Sequence, residues 1–192
     1  MPPRIRVDKQ AILQTAFEIT KEEGLGAITA RSLAQRLGCS TQPIFRAYEN
    51  MDTLKSELFE FTNQYFAQYI MEPADEGNQF SSIGFRYVQF AYEESKLFTM
   101  VFMSGYLRSQ GIIELFTSDA DNIEIMKTIP SFSNFSSEQI KDLFARIAIF
   151  THGIAALVAT NDIKFDSQVI RGLLDDTFSA LVKDTKSKEP RA

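Results

Sequence analysis

Thr41, Gln42 and Arg46 fall on one short predicted helix, and their side chains are of the kinds that read duplex DNA. A glutamine amide pairs with the edge of adenine and a guanidinium with guanine, and a short helix carrying such groups at its N-terminal end fits the major groove. The elements that must hold these groups are written in residues 29–48. Thr29 is placed to cap a first helix, Leu33, Ala34 and Leu37 recur on one apolar face, and Gly38 stops it. Ser40 is expected to cap a second helix. Pro43 is tolerated in its first turn, where a backbone N–H has no intrahelical partner, and Ile44 faces inward. Two short helices separated by a three-to-four-residue turn read as a helix-turn-helix.

Upstream, Ile12, Leu13, Ala16, Phe17 and Ile19 form a broad apolar stripe that ends near Glu22-Glu23-Gly24-Leu25-Gly26, so three helices share one small core. Ala16-Phe17-Glu18 through Glu23-Gly24-Leu25, then Ile28–Ala34 and Phe45–Asn50 with Leu54, closely resembles the TetR family of bacterial transcriptional regulators over residues 8–58. The rest of the chain matches only in helical character. The resemblance implies an all-α fold, with an N-terminal three-helix helix-turn-helix DNA-binding domain at 1–50. A helical ligand-binding and dimerisation domain follows at 51–185, and the charged residues of the tail point to disorder at 186–192. The resemblance further implies a ligand-responsive repressor that binds a palindromic operator as a homodimer and is released by an apolar or aromatic small molecule. Two other readings stay open: an effector-independent DNA-binding protein, and a helical small-molecule carrier whose DNA contacts have decayed.

Within that frame, Thr41, Gln42 and Pro43 are expected at base edges, and Arg31 within reach of guanine or a phosphate. Thr29, Ser40 and Arg46 are expected at phosphates, and Arg4 and Arg6 on an N-terminal arm that adds sequence-blind attraction. Solvated helix surface is the competing account of Arg31 and Arg46. Helix capping is that of Thr29 and Ser40, where both roles can coexist. Two departures from the family pattern remove phosphate contacts: Phe45 stands where the family commonly has Tyr, and Met51 where it has Lys. The Tyr48 hydroxyl is the available substitute, so Phe45 and Tyr48 both belong to the expected interface.

Charge is shared unevenly in a chain of net charge −5: residues 1–50 hold seven Lys/Arg against five Asp/Glu, and the remainder 13 against 20. A basic end on an acidic body suits presentation of that end to phosphate. With 192 residues and 44% hydrophobic content the chain can build a sizeable core in one or two small domains. The single cysteine, Cys39, excludes an internal disulfide and reads as a half-buried packing residue. No leader and no apolar run long enough to span a bilayer is evident, so a cytoplasmic protein without membrane contact is expected. One histidine and one cysteine far apart make no metal site, no cofactor is implied, and no nucleophile–base pair or paired carboxylate suggests an enzyme.

Beyond residue 50 the pattern is helix after helix. Asn50 is expected to cap a long connecting helix over 52–71, followed by helices at 81–94, 96–103 and 112–127 and a polar loop near 129–136. Ser136 and Gln139 form a capping-box pattern that opens the most apolar helix, through Thr160, and a last helix covers 167–183. These two have more apolar surface than one packing partner needs, and the resemblance assigns them to a homodimer interface. Fifteen of 17 Phe and five of six Tyr follow residue 50. Phe66, Phe85, Tyr92, Phe102, Met103, Tyr106 and Phe150 are therefore candidates for an apolar effector pocket, with plain core as the competing account. His152, in Thr151-His152-Gly153, resembles the Trp-His-Gly signature of one TetR ligand-domain subfamily with Thr replacing Trp. It is expected as a satisfied interior histidine, or as a polar ligand anchor or pH-sensitive element.

Overall fold

Local signals set where several of the helices begin. The Asp8 carboxylate accepts from the Ala11 N–H at 2.8 Å and starts α1 (Lys9–Glu23), which Gly24 ends at φ +90°. A 3-10 turn at Leu25–Ala27 leads to α2 (Ala30–Arg36), and α3 spans Gln42–Ala47. Asn50 accepts from the Thr53 N–H at 2.9 Å and starts α4 (Met51–Met71), as its side chain suggested. Then come α5 (Gln79–Glu93), α6 (Ser95–Met103), α7 (Ser137–Thr160) and α8 (Ser167–Ser187). The computed structural model describes residues 7–72, 79–106, 132, 134–161 and 163–187; among these every regular element is helical, and the expected all-α class holds. Arg4 and Arg6, the loop at 74–78, the helix expected at 112–127 and residues 188–192 lie outside the described residues.

The chain packs as two compact units. The first comprises residues 1–68 and 94–106, so α6 joins α1–α3 and most of α4. Its core is built from Ile12, Ala16, Phe17 and Ile19 of α1, Leu33 and Ala34 of α2, Ile44 of α3 and Leu54 and Leu58 of α4. Leu97, Phe98, Met100 and Val101 of α6 add to it, with Ile28 and Tyr48 also buried. The Phe17 ring meets Phe61 and Tyr65 edge-on at 5.2 and 5.1 Å between centroids. Glu94 holds Lys21 in an ion pair and accepts from the Tyr65 hydroxyl at 3.4 Å, while the Lys96 ammonium donates to the Glu22 carbonyl at the end of α1.

The second unit comprises residues 69–93 and 107–192. Here α5, α7 and α8 pack against one another. Phe132, Ile140, Leu143 and Val182 form a buried cluster flanked by Phe135, Phe144, Ile147, Phe178 and Leu181. The Ser136–Gln139 capping box is present in both directions, at 3.2 and 2.9 Å. The last helix runs past the expected stop at Lys183, through Ser187, so Lys186 and Ser187 of the tail expected to be disordered are helical.

One expectation is corrected. By length and composition α7 is apolar enough to cross a bilayer, because its charged residues gather in its first turns and only Arg146 interrupts the run from Leu143 to Thr160. In this fold it instead buries Ile140, Leu143, Ala145, Thr151, Ala155 and Val158 within a helical unit.

Candidate nucleic-acid interface

A hydrogen-bonded turn fixes the angle between α2 and α3. Thr29 Oγ1 accepts from the Ser32 N–H at 3.0 Å, and Ser32 Oγ accepts from the Thr29 N–H at 3.0 Å while donating to the Ala27 carbonyl at 2.7 Å. The start of α2 is thereby tied to the turn before it. At the other end, Gly38 adopts φ +64°, its N–H donates to the Gln35 carbonyl at 3.2 Å, and the Cys39 N–H donates to the Ala34 carbonyl at 3.0 Å. This is the Schellman pattern, in which a left-handed residue lets the chain satisfy the last helical carbonyls and turn away. Cys39 is half-buried there, as expected of a packing residue.

Ser40 does not cap α3. The cap position is Thr41, and its side chain makes no capping bond either. The reason is local. Pro43 near the helix start has no N–H, and the Ile44 and Phe45 N–H groups both donate to the Thr41 carbonyl, at 3.1 and 3.3 Å. Pro43 thus removes the donor three residues after Ser40, and the Ile44 N–H, three residues after Thr41, is already taken. Ser40, Thr41 and Gln42 are exposed, so their polar groups are available to an outside partner.

Burial sorts α3 and the two residues that flank it cleanly. Ile44 and Tyr48 turn into the core, Pro43 is half-buried, and Phe45 and Arg46 are exposed beside Thr41 and Gln42. The exposed row is therefore Thr41, Gln42, Phe45 and Arg46, successive turns of one helical face. Tyr48 lies apart from it. Its ring is 2% exposed, and its hydroxyl donates to Glu57 Oε1 at 3.3 Å. Burial first, and then the Glu57 carboxylate, push that hydroxyl well above the usual phenol range. It serves the core rather than a solvent-facing surface.

Ion pairing separates the cations of this unit. Lys9 is held by Glu57 at 2.5 Å, Lys21 by Glu94, and Arg36 by Glu22 at 2.7 Å and Glu23 at 3.3 Å. Arg36 holds the Glu22 carboxyl below its usual range through that hydrogen bond. Among the described residues of this unit Arg31, Arg46, Lys55 and Lys96 have no carboxylate in an ion pair, Lys96 donating instead to the Glu22 carbonyl, and Arg31 and Arg46 are exposed. Lys55 was absent from the expected set. It lies one helical turn after Met51 on the same face of α4, so the four-residue period of a helix was the signal that pointed to it.

The eight candidate effector residues fall into both units. In the first, Phe66 meets Phe102 at 5.0 Å, Phe102 also meets Phe98 at 4.9 Å, Tyr106 stacks on Phe59 at 5.3 Å, and Met103 is exposed. In the second, Tyr92 stacks on Phe165 at 4.8 Å, Phe85 meets the same ring at 5.8 Å, and the Arg171 guanidinium lies 3.7 Å from the Phe85 centroid. Phe150 lines a cavity of about 20 Å3 with Gly84, Ile147, Thr151, Leu174 and Phe178. The His152 Nδ1 and the Tyr87 hydroxyl are hydrogen-bonded at 2.9 Å. Burial pushes the Tyr87 hydroxyl far above, and the imidazole below, their ordinary values. His152 is thus a satisfied, half-buried side chain.

No family model matches the sequence, and no curated protein matches it. Solved structures do. The chain is similar to a TetR-like transcriptional regulator from Rhodococcus sp. RHA1, at 15% identity and a TM-score of 0.61 over 98% of this chain and 100% of that one. It is also similar to a chain assigned to the TetR family of transcriptional regulators from Mesorhizobium loti MAFF303099, at 13% identity and a TM-score of 0.60 over 92% and 95%. The helix-turn-helix of α2 and α3, set in an all-helical chain of this length, thus belongs to a fold shared with TetR-like transcriptional regulators.

Proposed function

We propose that this chain is a DNA-binding transcriptional regulator that reads a palindromic operator as a homodimer and is released from it by a small molecule. The observation that carries the reading is the sorting of α3: Ile44 and Tyr48 fill the core, while Thr41, Gln42, Phe45 and Arg46 share one open face. In the bound state Thr41, Gln42 and Pro43 meet base edges and Arg46 a phosphate. Arg31 reaches guanine or phosphate, Lys55 takes over the phosphate contact that Met51 cannot make, and Thr29 and Ser40 add hydroxyl contacts.

Dimerisation is supported by apolar side chains that the single chain leaves open. Ile149 and Leu157 on α7 and Val169 and Leu173 on α8 are all exposed and recur at helical spacing. Burying them against a second copy would pair two recognition helices, which a palindrome requires. The effector reading rests on the aromatic density of the second unit. The cavity beside Phe150 and Phe178 has about 20 Å3, against roughly 300–1,000 Å3 for a drug-sized site. An effector entering there displaces those rings, and that displacement is what links occupancy to a change of conformation.

Selection of bound sequences from random duplex DNA by the purified chain, repeated across salt, tests the proposal. A two-fold palindrome bound with a steep salt slope is the expected result. Weak, sequence-blind binding that vanishes with salt would overturn it and favour a small-molecule carrier.

A further inference from the structure

Phe45 is the odd member of the open face of α3. It is 53% exposed and pairs with no other ring among the described residues, although aromatic pairs are frequent elsewhere in the same unit. Its neighbours on that face are Thr41 one turn back, Gln42 and Arg46, all polar and exposed. An apolar protein partner would not suit a lone ring in such company. An anionic partner that also offers a small apolar feature would. A phenyl ring has no hydrogen-bond donor, so a phosphate oxygen gains nothing from it. In the major groove, however, thymine presents its C5-methyl group amid an array of donors and acceptors.

We infer that Phe45 is a specificity residue that recognises duplex DNA by packing on a thymine methyl, so that each operator half-site carries a thymine at one fixed position. The inference rests on the DNA-binding reading above and deepens it. Thr41 and Gln42 supply the hydrogen-bonding part of the readout, and Phe45 the apolar part. The helix then discriminates thymine from cytosine at that position by a methyl group rather than by a hydrogen bond.

The test uses the full chain and the duplex obtained by selection. Each thymine of a half-site is replaced in turn by deoxyuridine, which deletes the methyl and leaves base pairing intact, and affinity is measured for the wild type, Phe45→Ala and Phe45→Leu. Burial of one methyl-sized group predicts about a fourfold loss for the wild type at one thymine per half-site, and roughly fifteenfold when both half-sites are changed. Phe45→Ala should be insensitive to the same replacement, and Phe45→Leu, which keeps an apolar group, should retain part of the response. Because residue 45 is exposed, neither variant disturbs the core, and a thermal melt checks this. A duplex bound tightly with no deoxyuridine response, or with an undiminished response in Phe45→Ala, overturns this inference alone. Failure to select any duplex overturns it together with the proposed function.

Discussion

The Tyr48 hydroxyl donates to Glu57 across 3.3 Å, which fastens the residue after α3 to α4. The Lys9 ammonium lies 5.0 Å from the same ring and pairs with the same carboxylate, so three elements meet at one tyrosine. Tyr48→Phe should cost about 0.5–1.5 kcal/mol, one net hydrogen bond, and leave DNA affinity unchanged. Tyr48→Ala should cost about 3–5 kcal/mol through the cavity it leaves. Urea unfolding and DNA titration of both variants check this; a selective loss of affinity in Tyr48→Phe would return the hydroxyl to the interface.

The unpaired cations should appear in the salt dependence of DNA binding. Arg46→Gln and Lys55→Gln are each expected to lower the slope of log affinity against log salt by about one. Arg36→Gln should leave the slope alone, because Glu22 and Glu23 already hold that guanidinium. Titration at three or more salt concentrations separates the two classes.

Thr29 caps α2 and is also proposed to lie near DNA, and one substitution separates the roles. Aspartate caps a helix as well as threonine does. Thr29→Asp should therefore keep the thermal midpoint of the wild type while weakening operator binding by charge repulsion. Unchanged affinity would leave Thr29 as a cap alone.

His152 should give stability a pH dependence of definite sign. Burial lowers its folded pKa below the ordinary 6.5, so the unfolded chain binds the proton more tightly. Its contribution is therefore complete above that value, and stability falls as pH drops below it toward the folded pKa. Denaturant unfolding between about pH 7.5 and 5.5 should show a loss that His152→Asn removes. An identical loss in the variant would assign the effect to other groups.

The exposed apolar residues of α7 and α8 give an oligomer test. Leu157→Asp and Leu173→Glu, at positions 57% and 47% exposed, should leave the monomer folded while shifting the chain from dimer to monomer in sedimentation. Affinity for a full palindrome should fall toward that for a half-site. A dimer that persists in both variants would move the interface elsewhere.

The sequence made the fold readable where local chemistry decides. Thr29, Asn50, Ser136 and Gln139 announced their helix starts because a cap is a contact between residues three apart. Gly38 marked the turn because φ +64° suits glycine. Ser40 misled because the proline two residues into the helix removes the donor that a cap needs, which a count of residue types does not register. Tyr48 misled for a different reason. Whether a tyrosine at the edge of a motif turns in or out is settled by Glu57 on the next helix and by Lys9, remote in sequence. The pairing of Arg36 and the isolation of Arg31, Arg46 and Lys55 likewise depend on which carboxylates tertiary packing brings near.

The contribution of α6 to the first unit has a consequence for the order in which the protein is made. Phe98 and Val101 are fully buried, Phe102 meets Phe66, Tyr106 meets Phe59, and Thr62 lies 4.0 Å from the Met100 sulfur. A nascent chain released only as far as residue 68 has α1–α3 and most of α4 but lacks the side chains of α6 that pack on them. The helix α3 gains its full support only once residue 106 has left the ribosome, at synthesis rates of roughly 5–20 residues per second about 3–12 seconds after α3 itself. An excised N-terminal fragment inherits the same deficit permanently, whereas a chain joining residue 68 to residue 94 through a short flexible bridge restores the missing cover.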